Sequence, residues 1–163
     1  MNKNYFSLFG IKAQYTQDLA IITARFYDLQ KNFHPDNFVN ATLSEKKSAL
    51  DMAATINEAY KTLCSPLKRA LYLLKMNGID ALNETDTVMP MDFLELQMEL
   101  RESLAAMSPT DSPGMARFKE QIEAARNECE KYISDYLDQA LFNQEAKVWV
   151  RKMQFYVKLL DSL

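Results

Sequence analysis

The sequence predicts an all-α protein built from two modules. Three observations predict it. Apolar residues recur at alternating steps of three and four over long stretches. Only three glycines and five prolines interrupt the 163 residues. The charge divides unevenly: residues 1–80 carry ten Lys and Arg against seven Asp and Glu (+3), and residues 81–163 carry nine against fifteen (−6). Opposite signs in the two halves suggest modules with different partners.

The elements follow in order. "YFSLF", residues 5–9, is a short aromatic turn closed by Gly10. A helix is expected from Thr16 or Gln17, with one apolar seam at Leu19, Ile22, Phe26, Leu29 and Phe33. Pro35 ends it, because the residue before a proline is pushed out of helical geometry. A second helix is expected after Ser44 as N-cap, with its seam at Ala49, Met52, Ile56, Ala59 or Tyr60, and Leu63. Joined by a loop at 34–44, the two should pack antiparallel, with Phe26 and Leu29 against Ile56 and Tyr60. "SPLKRALYLLKMNG" reads as a short helix with Ser65 as N-cap, Pro66 at its first position and Gly78 beyond its end. "IDALNETDTVMP" is polar and aperiodic, as a linker would be. Residues 90–107 form a further helix, and "SPTDSPG", 108–114, a loop. Residues 115–142 and 145–161 carry helical patterns with a break near Asn143, which makes the second module a three-helix bundle.

Composition excludes several functions. A net charge of −3 argues against a dedicated nucleic-acid binder. No apolar run approaches the roughly 20 residues of a membrane span, and "MNKNYFSLFGIKAQY" lacks the basic-then-apolar order of a signal peptide. Cys64 and Cys129 stand alone in helical sequence and read as small apolar residues of a protein kept in a reducing compartment. With one histidine and no Cys pair, neither a metal site nor a cofactor is expected. The chain has no Gly-rich phosphate loop, GxSxG elbow or HExxH pair.

"QKNFHPDNF", residues 30–38, sets that single histidine at a helix-breaking step beside an aspartate. An acid–base pair is one reading, but no nucleophile is marked near it. A capped turn is another, with Asp36 accepting backbone N–H bonds and His34 bonding a helix-end carbonyl. A third comes from resemblance. The "YFSLFGI" opening, a helix ending in His34, Pro35 and Asp36, a loop, then "INEAYKTL" followed by "SPLKRALYLL" resembles the J-domain of DnaJ-type co-chaperones over residues 4–76. The resemblance implies that the tripeptide contacts a DnaK-type chaperone and stimulates its ATP hydrolysis, so the chain is not itself an enzyme.

Within that family this sequence departs from the general pattern. The helix before the tripeptide, "ITARFYDLQKNF", offers only Arg25 and Lys31 as cations, and Asn37 stands where lysine is usual. Weak electrostatic steering suggests a dedicated chaperone partner. "RFYDLQKNFHPDNF", "ATINEAYKTL", "PLKRALYLL" and "FLELQMELRESL" together resemble the HscB-type iron–sulphur co-chaperones, to the C-terminus but most weakly through 105–147. That resemblance implies an HscA-type chaperone and an IscU-type scaffold protein as partners, and neither nucleic acid nor membrane. The cysteine-rich extension of mitochondrial relatives is missing, which implies a bacterial, cytoplasmic form. The expected fold is L-shaped, with a J-domain over 1–76, a linker over 77–89 and a scaffold-binding bundle over 90–163. A J-domain serving a different client is the alternative.

The second module has apolar residues to spare. Phe93, Leu96, Leu100, Leu104 and Met107 make a core seam, and Met91, Leu94 and Met98 lie off it beside Glu95, Arg101 and Glu102. On the last helix, Trp149, Met153, Tyr156 and Leu160 form one seam, and Val148, Phe155 and Leu159 a second. Spacing alone favours a widened core stripe, and an exposed patch is the alternative. The resemblance implies a scaffold-binding surface at Leu94, Met98, Arg101, Glu102 and Phe155, with Glu95 and Leu96 less well matched.

Overall fold

The computed structural model describes residues 3–83 and 89–163. Every regular element among them is helical: a helical hairpin in the N-terminal part and a helical bundle in the C-terminal part. The chain divides into two compact units, Met1–Leu73 and Leu74–Leu163. Residues 84–88 of the expected linker lie outside the described residues. Among the described residues no helix is long and apolar enough to cross a membrane, and no group of three or more His, Cys, Asp or Glu could hold a metal ion.

In the first unit, α1 (Tyr5–Leu8) is closed at its start by a reciprocal Asn4–Ser7 capping box. It buries Phe6, and Phe9 just after it is buried too. α2 spans Leu19–Asn32, starting later than Thr16 or Gln17. The Asp18 carboxylate accepts the Ala20 N–H at 2.9 Å, while the Gln17 amide donates to the Lys12 carbonyl at 2.7 Å and so belongs to the preceding loop. Leu19, expected on the seam, is therefore exposed at the first turn, and Ile22 is the fully buried residue.

α3 spans Leu43–Cys64 and is capped by Thr42, not by Ser44. Thr42 Oγ1 accepts the Glu45 N–H at 3.2 Å, and Glu45 Oε2 accepts the Thr42 N–H at 3.2 Å. The local sequence "TLSE" puts a glutamate three residues after Thr42, whereas Ser44 has a lysine there, which cannot return the bond. Phe26 of α2 stacks on Tyr60 of α3 with ring centroids 3.9 Å apart. Phe33, at the other end of α2, shares a hollow with Ala49 and Ala53 near the start of α3. Early residues of one helix meet late residues of the other, so the pair is antiparallel. Ile22, Ile56 and Leu63, fully buried in this unit, each contribute roughly 1.5–3 kcal/mol by transfer.

α4 (Pro66–Met76) starts where Ser65 Oγ accepts the Lys68 N–H at 3.2 Å. Its Arg69 is buried and bonds the Tyr15 and Leu63 carbonyls, both at 2.6 Å, with its guanidinium 5.0 Å from the Tyr15 ring centroid. One side chain thus ties the 11–18 loop to the α3–α4 corner.

The second unit holds α5 (Met91–Ala106), α6 (Ser112–Leu137) and α7 (Gln144–Asp161). α6 begins inside the stretch expected as loop, because Asp111 Oδ1 accepts the Gly114 N–H at 2.9 Å and Pro113 occupies the first turn, where no N–H is needed. A Cβ on Gly114 would lie 2.1 Å from Asp111 Oδ2, so only glycine admits this cap. α6 ends at Leu137 and not at 142. Ala140 takes φ 57, and the Leu141 N–H returns to the Tyr136 carbonyl at 2.8 Å. Asn143 caps α7 by accepting the Ala146 N–H at 2.9 Å, which is the expected break. The core draws on Phe118, Ile122, Cys129 and Ile133 of α6 and on Ala146, Val150, Met153 and Tyr156 of α7. Leu159 is buried in place of the expected Leu160, which is half-buried like Trp149. The 3-4 seam drifts around a straight helix of 3.6 residues per turn.

Candidate functional site

Two separate surfaces carry the residues singled out by sequence. The first is the turn after α2. Phe33 closes the helix with its N–H on the Leu29 carbonyl at 3.1 Å. His34 is extended (φ −64, ψ 138), and Pro35–Phe38 form one 3-10 turn inside the expected 34–44 loop. His34 Nδ1 accepts the Asp36 N–H at 3.2 Å and lies 3.5 Å from Asp36 Oδ2. A neutral imidazole that accepts at Nδ1 carries its proton on Nε2. The bonds therefore differ from the expected capped turn: the imidazole accepts where Asp36 was expected to, and the helix-end carbonyls go to another residue.

That residue is Asn37. Its amide donates to the Lys31 carbonyl at 2.6 Å and the Asn32 carbonyl at 3.3 Å, so it fastens the turn to the open end of α2. Sequence reasoning registered Asn37 only as a missing lysine. The available signal was an amide donor a few residues beyond a helix end, where unpaired carbonyls wait. His34 and Asp36 side chains are 59% and 88% exposed, so both present their polar groups to solvent. Lys31 lines a groove of about 590 Å³ together with His34, Pro35 and Asp36. Arg25, also exposed, lines a different groove with Asp28 and Gly10. Lys31 lines that groove too, so it stands between Arg25 and the tripeptide.

The second surface is on α5 and α7. Phe93 and Leu100 are buried, and Phe93 meets the rings of Phe155 and Tyr156 edge-on at 5.7 and 5.8 Å. Leu94 and Met98 are 39% and 63% exposed, and Met91 is 70% exposed. The surplus apolar residues of α5 therefore stand in solvent and do not widen the core. At about 100° per residue, Arg101, Leu94, Met98, Met91, Glu102 and Glu95 follow one another around the helix. The apolar stripe thus has a cationic edge and an acidic edge. Phe155 is half-buried: it belongs partly to the core, while the Arg101 guanidinium lies 5.6 Å from its ring centroid on the outer side. Leu94, Arg101 and Phe155 line one groove of about 540 Å³, and Met98 and Glu102 lie outside it.

Cys129 is buried, and that burial pushes its thiol up to about 12. The Cys64 thiol is also raised, first by burial.

Comparison with known proteins adds the following. Residues 4–72 match the family described as the DnaJ domain, and residues 89–163 match the family described as the HSCB C-terminal oligomerisation domain. Among solved structures, the chain is similar to the chaperone HscB from Vibrio cholerae at 35% identity and a TM-score of 0.86, covering 98% of this chain and 94% of that one. It is similar to the human co-chaperone protein HscB at 32% identity and a TM-score of 0.91, over 99% and 80% of the two chains. The Jac1 co-chaperone from Saccharomyces cerevisiae, at 20% identity, shares the fold with a TM-score of 0.74 over 99% and 92%.

Proposed function

Because the chain belongs to the HscB family of J-domain co-chaperones, we propose that it serves iron–sulphur cluster assembly by bringing an IscU-type scaffold protein to an HscA-type chaperone of the DnaK class. A J-domain co-chaperone is not an enzyme; it acts on the ATP hydrolysis of its partner. In this reading residues 1–76 are the J-domain, 77–89 the linker and 90–163 the scaffold-binding bundle, and the setting is a bacterial cytoplasm.

His34, Pro35 and Asp36 dock on the chaperone, with Lys31 beside them and Arg25 steering from α2. The observation that carries this is the exposed, internally braced turn: imidazole and carboxylate face solvent while backbone and Asn37 bonds fix the peptide. A tip ordered in advance loses less entropy on docking, and the effect on the chaperone is allosteric, with the chemistry in the partner's own site. Leu94, Met98, Arg101, Glu102 and Phe155 receive the scaffold; exposed methionine suits an adaptable contact.

The test is chaperone ATPase measured with this chain added, with and without scaffold. Wild type should stimulate, and more so with scaffold. His34→Gln or Asp36→Ala should abolish stimulation while stability stays within about 1 kcal/mol, as for exposed turn changes in general. Stimulation that survives both changes would reduce the turn to a helix stop. A scaffold without effect on either binding or ATPase would point to a different client.

A further inference from the structure

The second module is acidic, yet one groove on it is lined, among the described residues, by cations and by no carboxylate. Arg101 of α5 and Arg151 and Lys158 of α7 line it, over an apolar floor of Leu94 and Phe155. Among the described residues none of the three cations makes an ion pair. Two of them are nevertheless held in place. Arg151 donates from Nε to the Ala81 carbonyl at 2.6 Å and from Nη2 to the Asn83 carbonyl at 3.0 Å. Arg101 stacks its guanidinium on the Phe155 ring. Neutral partners thus order both guanidinium groups, and no described carboxylate pairs with either. Lys158 sits in the last turn of α7, where the helix dipole favours a cation. That account does not extend to Arg101 or Arg151, which lie further from a helix C-terminus.

We propose that this groove receives an acidic segment of the scaffold partner: a carboxylate set between Arg101 and Lys158, with a large apolar side chain of the same segment against Leu94 and Phe155. The inference rests on the reading of α5 and α7 as the scaffold-docking surface and adds the chemistry of what docks. A small inorganic anion would use the cations and leave the apolar floor wet, whereas a peptide segment uses both. Gln97 and Gln154, also in the lining, offer donors and acceptors for its backbone. Glu102 and Glu95 on the opposite edge of the stripe repel the same carboxylate, so the order of charges fixes the direction in which the segment lies.

The experiment is a calorimetric titration of purified scaffold protein into the full chain at low and at high salt. Arg101→Gln with Lys158→Gln should weaken binding about ten-fold at low salt and flatten the dependence of affinity on salt. Lys158→Gln alone should move both readouts the same way by less. Leu94→Ala should weaken binding and leave the salt dependence as in wild type. Melting curves matching wild type establish that each variant is folded, which the exposure of Arg101 and Lys158 favours. Wild-type affinity and salt dependence in the double variant, beside weakened binding in Leu94→Ala, would overturn the acidic-segment proposal and leave the docking surface standing. Wild-type affinity in all the variants would overturn the docking surface itself.

Discussion

Asn37 holds the turn by two bonds to carbonyls that α2 leaves open. Both are exposed, so Asn37→Ala should cost only about 1 kcal/mol of stability. A similar loss of preorganisation at docking would raise the co-chaperone concentration for half-maximal ATPase stimulation roughly five-fold, with the maximum unchanged. An unaltered half-maximal concentration would deny Asn37 any positioning role. Buried titratable groups give a second prediction at this scale. Burial pushes the Cys129 thiol from 9.0 to about 12 and the Tyr156 hydroxyl from 10.0 to about 12. Between the unfolded and folded values the folded chain binds more protons. Their contribution to stability is therefore constant below about pH 9 and falls as pH rises from there towards 12. Melting temperature followed over that range should decline, and Cys129→Ala should reduce the slope at its lower end. Below pH 9 in the native state, Cys129 should also resist thiol reagents that label it in denaturant.

The helix ends separate what local sequence specifies from what it leaves open. Gly78 takes φ +80 just beyond α4, and the Ile79 N–H returns to the Leu74 carbonyl at 2.9 Å. Ala140 makes the same closure after α6 with a Cβ present, at a cost of roughly 1–2 kcal/mol. Ala140→Gly should therefore stabilise the chain by up to about 1 kcal/mol, read as a raised denaturant midpoint with unchanged slope. Arg69 is the opposite case, an internal tie between elements. Arg69→Leu would leave the Tyr15 and Leu63 carbonyls without their charged donor, and each such bond is worth about 1.5–3 kcal/mol. Unfolding should show a loss of at least about 3 kcal/mol; a loss under 1 would mean that the 11–18 loop is anchored otherwise.

For the molecule as a whole, the consequence is separable damage. Leu94→Ala with Met98→Ala removes exposed side chains and should weaken scaffold binding by about 1–2 kcal/mol per change, as interface anchors do, or more than about 30-fold together. Stability should stay near wild type. Stimulation of the chaperone without scaffold should persist, since both positions lie in the unit Leu74–Leu163. Phe155→Ala is a less clean probe, because its ring also meets Phe93 and Tyr156. A large fall in melting temperature in the Leu94–Met98 pair, with scaffold affinity intact, would return these residues to the core.

Helical periodicity by itself determined that the chain is all-α, that α2 and α3 pair, and where the tripeptide falls between them. A seam repeats every turn, so it survives an error of several residues at either end. The caps did not survive such errors. Thr42 and Ser44 are both acceptable by residue type, and only the return bond from Glu45 distinguishes them. Residues 137–142 continue a helical pattern, and only the left-handed turn at Ala140 stops it. The candidate site of the proposed chaperone contact was legible as a contiguous motif, His34, Pro35 and Asp36, and the structure sets that motif in an exposed turn. Whether Leu94 and Met98 widen the core or face solvent was not legible, because one helix's spacing does not state how wide a face its neighbours cover. The groove cations were hidden for the same reason. Arg151 lies about 50 residues from Arg101 in the chain, and only the packing of α7 beside α5 brings their charges to one rim.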